Sequence, residues 1–190
     1  MPPCRHDQTI RWGIEMRHIF LKTLTIGGLA LMLGACASVD SSPVPPLAGH
    51  TGWVVLPLEN LTDTPMAGQR AAALAASLLT ARGVTDVERY AAGSDGETVF
   101  DPAQTDLRAK GLEWARGEHA RYALTGSVIE WRYKVGVDGE PVVGLTLQLL
   151  DVDSGKVVWS ASGTRSGWGR DSLAEVASGL EQHMLAPLVR

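Results

Sequence analysis

The chain has 190 residues, 45% of them hydrophobic and 20% charged, the composition of an ordinary globular protein. From Ala37 onward, 13 Lys and Arg stand against 19 Asp and Glu, a net charge of −6, and an acidic domain argues against nucleic acid as a partner. Both cysteines, Cys4 and Cys36, precede that region, so neither a disulfide nor a thiolate metal site is expected inside it.

Met16 to Lys22 is a basic n-region, Thr23 to Leu33 an apolar run, and small residues Gly34-Ala35 lead to Cys36. This pattern predicts an export signal over 16–35, too short for a stop-transfer helix. Residues 1–15 are polar and push the n-region far from the first residue. The expectation is a true start at Met16 and a mis-assigned start for 1–15. Leu33-Gly34-Ala35-Cys36 resembles the bacterial lipobox. The resemblance implies cleavage before Cys36 and acylation of its thiol and new amino terminus, and several acyl chains make a durable anchor. Ala37-Ser38 after the cysteine resembles lipoproteins sorted to the outer membrane, facing the periplasm. Residues 36–51 are expected to be the lipidated Cys36 and a tether, because Val39 to Thr51 is rich in Pro, Ser and Gly and has no periodicity.

Residues 52–190 are expected to form one α/β domain. Gly52 to Leu58 is a short apolar run fit for a buried strand. Thr64-Pro65 predicts a helix start with Thr64 as N-cap. The alanine-rich helix that follows places Ala67, Ala71, Leu74 and Leu78 on one stripe and stops at Gly83. Val84 to Tyr90 reads as a second strand. Asp101-Pro102 repeats the helix start, and that helix runs to about Glu118 with Leu107, Lys110, Trp114 and Glu118 on one face. Tyr122 to Trp168 then reads as three antiparallel strands. In the middle one Val143, Leu145, Leu147 and Leu149 alternate with Gly144, Thr146 and Gln148. Asp138-Gly139 and Asp153-Ser154-Gly155 supply the turns. Asp171 to Leu188 predicts a last helix with Leu173, Val176, Leu180, Met184 and Leu188 apolar. The order is β-α-β-α-β-β-β-α, a mixed sheet sandwiched by helices.

Sites for catalysis are sparse. No glycine-rich phosphate loop follows a predicted strand, so no cofactor is expected. Gly163-Thr-Arg-Ser166-Gly167 is not a nucleophile elbow, since the serine is one place late. His50, His119 and His183 have no ligand spacing, so no metal is expected. Asp151-Val-Asp153-Ser-Gly155 begins like a calcium loop, but Ser162 stands where a bidentate Glu is needed, and a hairpin turn explains it better. Asp138 and Glu140 share a solvated tip, a poor setting for acid–base work. An enzyme is not expected. Trp131 and Tyr133 share a strand face with Ile129 and read as core or subunit interface, Trp159 as core. Trp168, between Gly167 and Gly169, fits either a core plug or a membrane interface, where Trp is favoured.

The segments GWVVLPLENLTDTPMAGQRAAALAASLL and RYALTGSVIEWRYKVGVDGEPVVGLTLQLLDVDSGKVVWSASGTRSGWGRDSLAEVA resemble the PelC family, outer-membrane lipoproteins of the Pel exopolysaccharide export system. DGEP, DVDSGKVVWSA and RSGW are the specific parts. The first strand and helix alone are shared more loosely with CsgG-like and LpoB-like envelope lipoproteins. The resemblance implies a fold like the CsgG periplasmic domain and a ring of twelve copies under the outer membrane, around an exit path formed with a PelB-like porin. It implies a cationic polysaccharide guided by an acidic surface, with Asp138 as the pore-side acid and Glu140 a weaker second. Trp168 becomes the membrane-facing aromatic, and Arg165 pairs across subunits or meets outer-membrane lipid phosphates. Gly169 stands where relatives are expected to carry a helix-capping Ser. The rival functions are a monomeric LpoB-like regulator of an envelope enzyme and a CsgG-like protein channel. The channel lacks the long amphipathic strands it would need.

Overall fold

This computed structural model describes residues 37–47, 49, 51–90, 104–136 and 139–189. The strands are β1 (Ala37–Ser41), β2 (Thr51–Val55), β3 (Glu59–Asn60), β4 (Thr85–Arg89), β5 (Tyr122–Tyr133), β6 (Pro141–Asp151) and β7 (Val157–Ser166). The helices are α1 (Ala67–Ala81), α2 (Gln104–Gly117) and α3 (Leu173–Leu185), and a 3₁₀ turn follows at Ala186–Val189. The strands make one mixed sheet in the order β1-β7-β6-β5-β2-β4, with β3 pairing to β5. β2 runs parallel to β4 and β5, whereas β5, β6, β7 and β1 pair antiparallel in turn. The expected α/β class and helix–strand order are both present, with β1 and β3 added.

Alternation along β6 is what orients the sheet. Val143, Leu145, Leu147 and Leu149 are fully buried on the face covered by α1 and α3, where they join Trp53, Trp131 and Trp159 in the main core. α2 covers part of the second face and packs Ala115 with Val54, Leu56, Ala123, Leu150 and Val152. The rest of that face is lined by small hydroxyl and amide groups. Thr146 lies opposite Ser127 on β5 and Ser162 on β7, and the Ser127 and Thr146 hydroxyls are 2.6 Å apart.

Four expectations change. First, the tether is not slack from its start: Ala37 to Ser41 pairs residue by residue with Arg165 to Ala161 as an edge strand. The segment alternates small polar residues with Val39, which packs on the main core, and backbone pairing outweighs the absence of strong periodicity. Second, α1 begins at Ala67 with Met66 in the left-handed region and no side-chain cap. Thr64 instead donates its hydroxyl to the Trp131 carbonyl at 2.6 Å, and Asn60 holds the loop by accepting from the Thr62 N–H and hydroxyl. Third, α1 is rotated from the expected stripe: Ala67, Gly68, Ala71, Ala72, Ala75 and Leu79 are buried, and Leu74 and Leu78 are half-buried. Gly68 explains the rotation, because a Cβ there would overlap the Leu58 carbonyl oxygen. The helix lies on the sheet through its smallest side chains. Fourth, α3 is capped by Ser172, whose hydroxyl accepts from the Glu175 N–H at 3.1 Å, so Gly169 carries no capping duty. The Asp101-Pro102 start of α2 lies outside the described residues.

Candidate functional site

The antiparallel register brings the sequence-selected residues to one end of the sheet. β1 begins where β7 ends, since Ala37 pairs with Arg165. β6 begins at the same end: Val142 pairs with Ser166 and Pro141 with Tyr133, and the Gly167 N–H donates to the Pro141 carbonyl at 2.8 Å. The β5–β6 turn therefore projects beside the loop that carries Trp168.

At this turn Asp138 lies outside the described residues, while Gly139 has a left-handed φ of 50° that a Cβ would strain. Glu140 is half-buried and 3.3 Å from the Lys134 ammonium. The Lys134 N–H donates to the Glu140 carbonyl at 2.8 Å, so the pair sits across the last rung of the hairpin. Lys134 thus offsets the Glu140 charge in part, although an exposed pair of this kind is weak. On the adjoining strand Arg132 and Glu130 are 2.8 Å apart.

Trp168 is 70% exposed, which removes the core-plug alternative. A short two-way clamp holds its backbone: its N–H donates to Asp171 Oδ2 at 2.8 Å, and the Asp171 N–H donates to its carbonyl at 2.9 Å. Gly167 is buried beneath, where a Cβ would meet Val176 and Asp171. The indole is held outward by ordered backbone. Arg165 is placed differently: its guanidinium lies against α3 where a Cβ at Gly179 would clash with it. Its Nε is buried without a hydrogen-bond partner among the described residues. Arg165 and Trp168 therefore do not form one exposed pair.

Of the other aromatics, Trp131 and Trp159 are core, and Tyr133 is half exposed. Ile129 does not share their face. A bulge shifts the β5–β6 register between Val128 and Glu130 and turns Ile129 over Gly144 on the opposite face. Bulges re-aim side chains in this way. The Asp151 segment is a hairpin turn in which the Asp151 carboxylate accepts from the Ser154 N–H at 2.9 Å and hydroxyl at 2.6 Å. Those two bonds hold its pKa below the ordinary value.

One polar group escaped the sequence reading. Glu181 on α3 is fully buried, and neither carboxyl oxygen has a hydrogen-bond partner among the described residues. Burial pushes its pKa well above the ordinary carboxyl range. The helical spacing gave the signal, because Glu181 follows Ala177 by four residues on the apolar stripe.

Among solved structures, the chain is 44% identical to a PelC dodecamer from Paraburkholderia phytofirmans, with a TM-score of 0.68, over 81% of this chain and 98% of that one. The chain belongs to the PelC family. A second crystal form, of a single-residue variant of the same PelC dodecamer, is similar at 44% identity and a TM-score of 0.70, over 81% and 99% of the two chains. No family model matches the chain, and no curated protein does. PelC membership agrees with the hairpin and the RSGW segment, which lie at the sheet end described above. In this chain that end combines an outward tryptophan, a turn with a partly neutralised Glu140, and the first residue after Cys36.

Proposed function

We propose that this PelC-family chain is a non-enzymatic lipoprotein, acylated at Cys36 and held at the periplasmic face of the outer membrane. There it assembles into a ring that assists export of the cationic Pel polysaccharide through a PelB-like porin. The observation that carries the reading is 44% identity, over 98% of its length, to a chain whose structure is a dodecamer. Acidity supports it: with −6 per copy from Ala37 onward, the summed field of many copies around an opening reaches several kT, and a positive polymer concentrates there without tight binding. Because Lys134 offsets Glu140, the guiding charge at the hairpin falls mainly on Asp138.

Mass measurement of the chain from Ala37 onward tests assembly. A ring of many copies is expected, and a monomer at high concentration would favour a regulator docking on an envelope enzyme. Asp138→Lys tests guidance. Polymer export should fall while the thermal transition is unchanged, since position 138 lies between β5 and β6 in sequence and belongs to neither strand. Export at the parental level would exclude guidance by this charge.

A further inference from the structure

β7 carries a second pattern besides its core residues. Trp159 and Ala161 enter the main core, so a period of two sends Ser160, Ser162, Thr164 and Ser166 to the opposite face. The neighbouring strands continue that pattern. Across β1, Ser38 pairs with Thr164 and Asp40 with Ser162. Across β6, Thr146 pairs with Ser162 and Gln148 with Ser160, and Ser127 of β5 lies beyond Thr146. Asp40, Ser162, Thr146 and Ser127 thus make one row across four strands, roughly 14 Å long at about 4.8 Å per strand. α2 packs on another part of this face, over Val54, Ala123 and Leu150.

An open groove of about 410 Å³ runs along this row, lined by Asp40, Ser42, Thr146, Gln148, Ser160 and Ser162. Leu147 and Ala161 border it, but their side chains belong to the main core. The chain from Ala37 onward carries 13 Lys and Arg and 19 Asp and Glu, yet among the described residues Asp40 is the one ionisable group in the lining. Two hydroxyls are engaged within the sheet: Ser42 accepts from the Ser160 N–H at 3.0 Å, and Thr146 meets Ser127. Among the described residues, the Asp40 carboxylate, the Gln148 amide and the Ser162 hydroxyl bond to no other group of the chain. Hydroxyls and amides both donate and accept, whereas a carboxylate only accepts. Protein partners are held mainly by aromatic, aliphatic or arginine anchors, and this lining presents none. A sugar ring matches it better, because its hydroxyls also donate and accept, and an ammonium on the ring suits the lone carboxylate. Short hydroxyl side chains lose little rotamer freedom when a ligand fixes them.

We propose that this open sheet face binds a short stretch of amino-sugar chain. Ser162, Thr146 and Gln148 take its ring hydroxyls, and Asp40 takes an ammonium. The proposal rests on the reading that the exported polymer is a cationic polysaccharide, and it adds recognition of sugar hydroxyls to guidance by charge. The face is separate from the Asp138 hairpin, since Thr146 lies four residues along β6 from Val142, about 13 Å by strand rise. A groove without an apolar anchor binds each segment weakly, and repetition along the polymer and around a ring supplies avidity.

The test uses the full chain, processed in cells, purified in detergent and dialysed to equilibrium against labelled oligosaccharides of mixed glucosamine and N-acetylglucosamine. Two comparison probes are the fully N-acetylated oligosaccharide and an oligolysine of matched charge. The mixed oligosaccharide should bind most tightly and the oligolysine least. Ser162→Ala and Thr146→Val should each weaken both oligosaccharides about 5-fold, the loss of one hydrogen bond. Asp40→Asn should weaken the mixed one by at least as much and leave the acetylated one nearly unchanged. The mass of the assembly should match the parent in every variant. Oligolysine binding as tightly as the sugar would reduce the effect to charge and overturn the site. A variant that falls to a smaller assembly would show the face to be a contact between copies, which also overturns it. Sugar binding that none of the three substitutions alters overturns this site alone and leaves the polysaccharide reading standing. Absence of sugar binding by the parent overturns the site as well, and export by Asp138→Lys, measured in cells, then decides the broader reading independently.

Discussion

Glu181 is the most sensitive probe of the core. It occupies an apolar position of α3, between Ala177 and Leu185, with no partner for either oxygen among the described residues. An isolated carboxylate is too costly to bury, so the group stays protonated in the folded chain. In the unfolded chain it ionises above its ordinary pKa of 4.5. The folded pKa is the higher of the two, so the folded state binds the extra proton. Its stability is intact below about pH 4.5 and declines as pH rises towards the folded pKa, by about 1.4 kcal/mol per pH unit. Between pH 4.5 and pH 7 the loss is capped at about 3.5 kcal/mol. Glu181→Met removes the ionisable group and fills similar space with an adaptable apolar chain. Urea unfolding of the chain from Ala37 onward, at one protein concentration and from pH 4 to pH 8, should give curves that diverge in favour of the variant as pH rises. Glu181→Gln should lose the same pH-dependent part while keeping a desolvated amide. Wild-type and Glu181→Met stabilities that stay parallel across this range would refute a neutral, unpartnered carboxyl.

Close packing and capping supply two further tests. Gly68→Ala places a Cβ on the Leu58 carbonyl, so α1 must lift from the sheet. A loss of about 1–3 kcal/mol is expected, read as a lower urea midpoint. Ser172→Ala removes the α3 cap seen in the Glu175 N–H bond and should cost about 1 kcal/mol. Gly169→Ala, tested alongside, should not reproduce that loss.

The parts of this chain legible in its sequence are those where local pattern and tertiary demand coincide. β6 alternates because one of its faces is a fully buried core and the other is not. The Asp151 turn closes by its own side-chain bonds within four residues. α3 shows its apolar stripe through Val176, Leu180 and Met184, and the DGEP and RSGW segments carry the family resemblance. An indole between two glycines fits a core plug or an interface, and the exposure of Trp168 removes the core plug.

The remaining features depended on partners distant in sequence. β1 is a strand because β7, more than a hundred residues later, offers it an edge, and nothing in Ala37 to Ser41 announces that pairing. A single bulge in β5 reversed Ile129, since a period of two carries every later side chain across when one residue is added. Thr64 gave up its capping role because the Trp131 carbonyl was within reach of its hydroxyl. Apart from β1 and β3, local periodicity thus determined which segments are helices and strands, through the energetics of burying one face. Which edges meet, how α1 rolls on the sheet, and which exposed groups share one end were decided by long-range contacts, because those energies exist only once the chain has closed on itself.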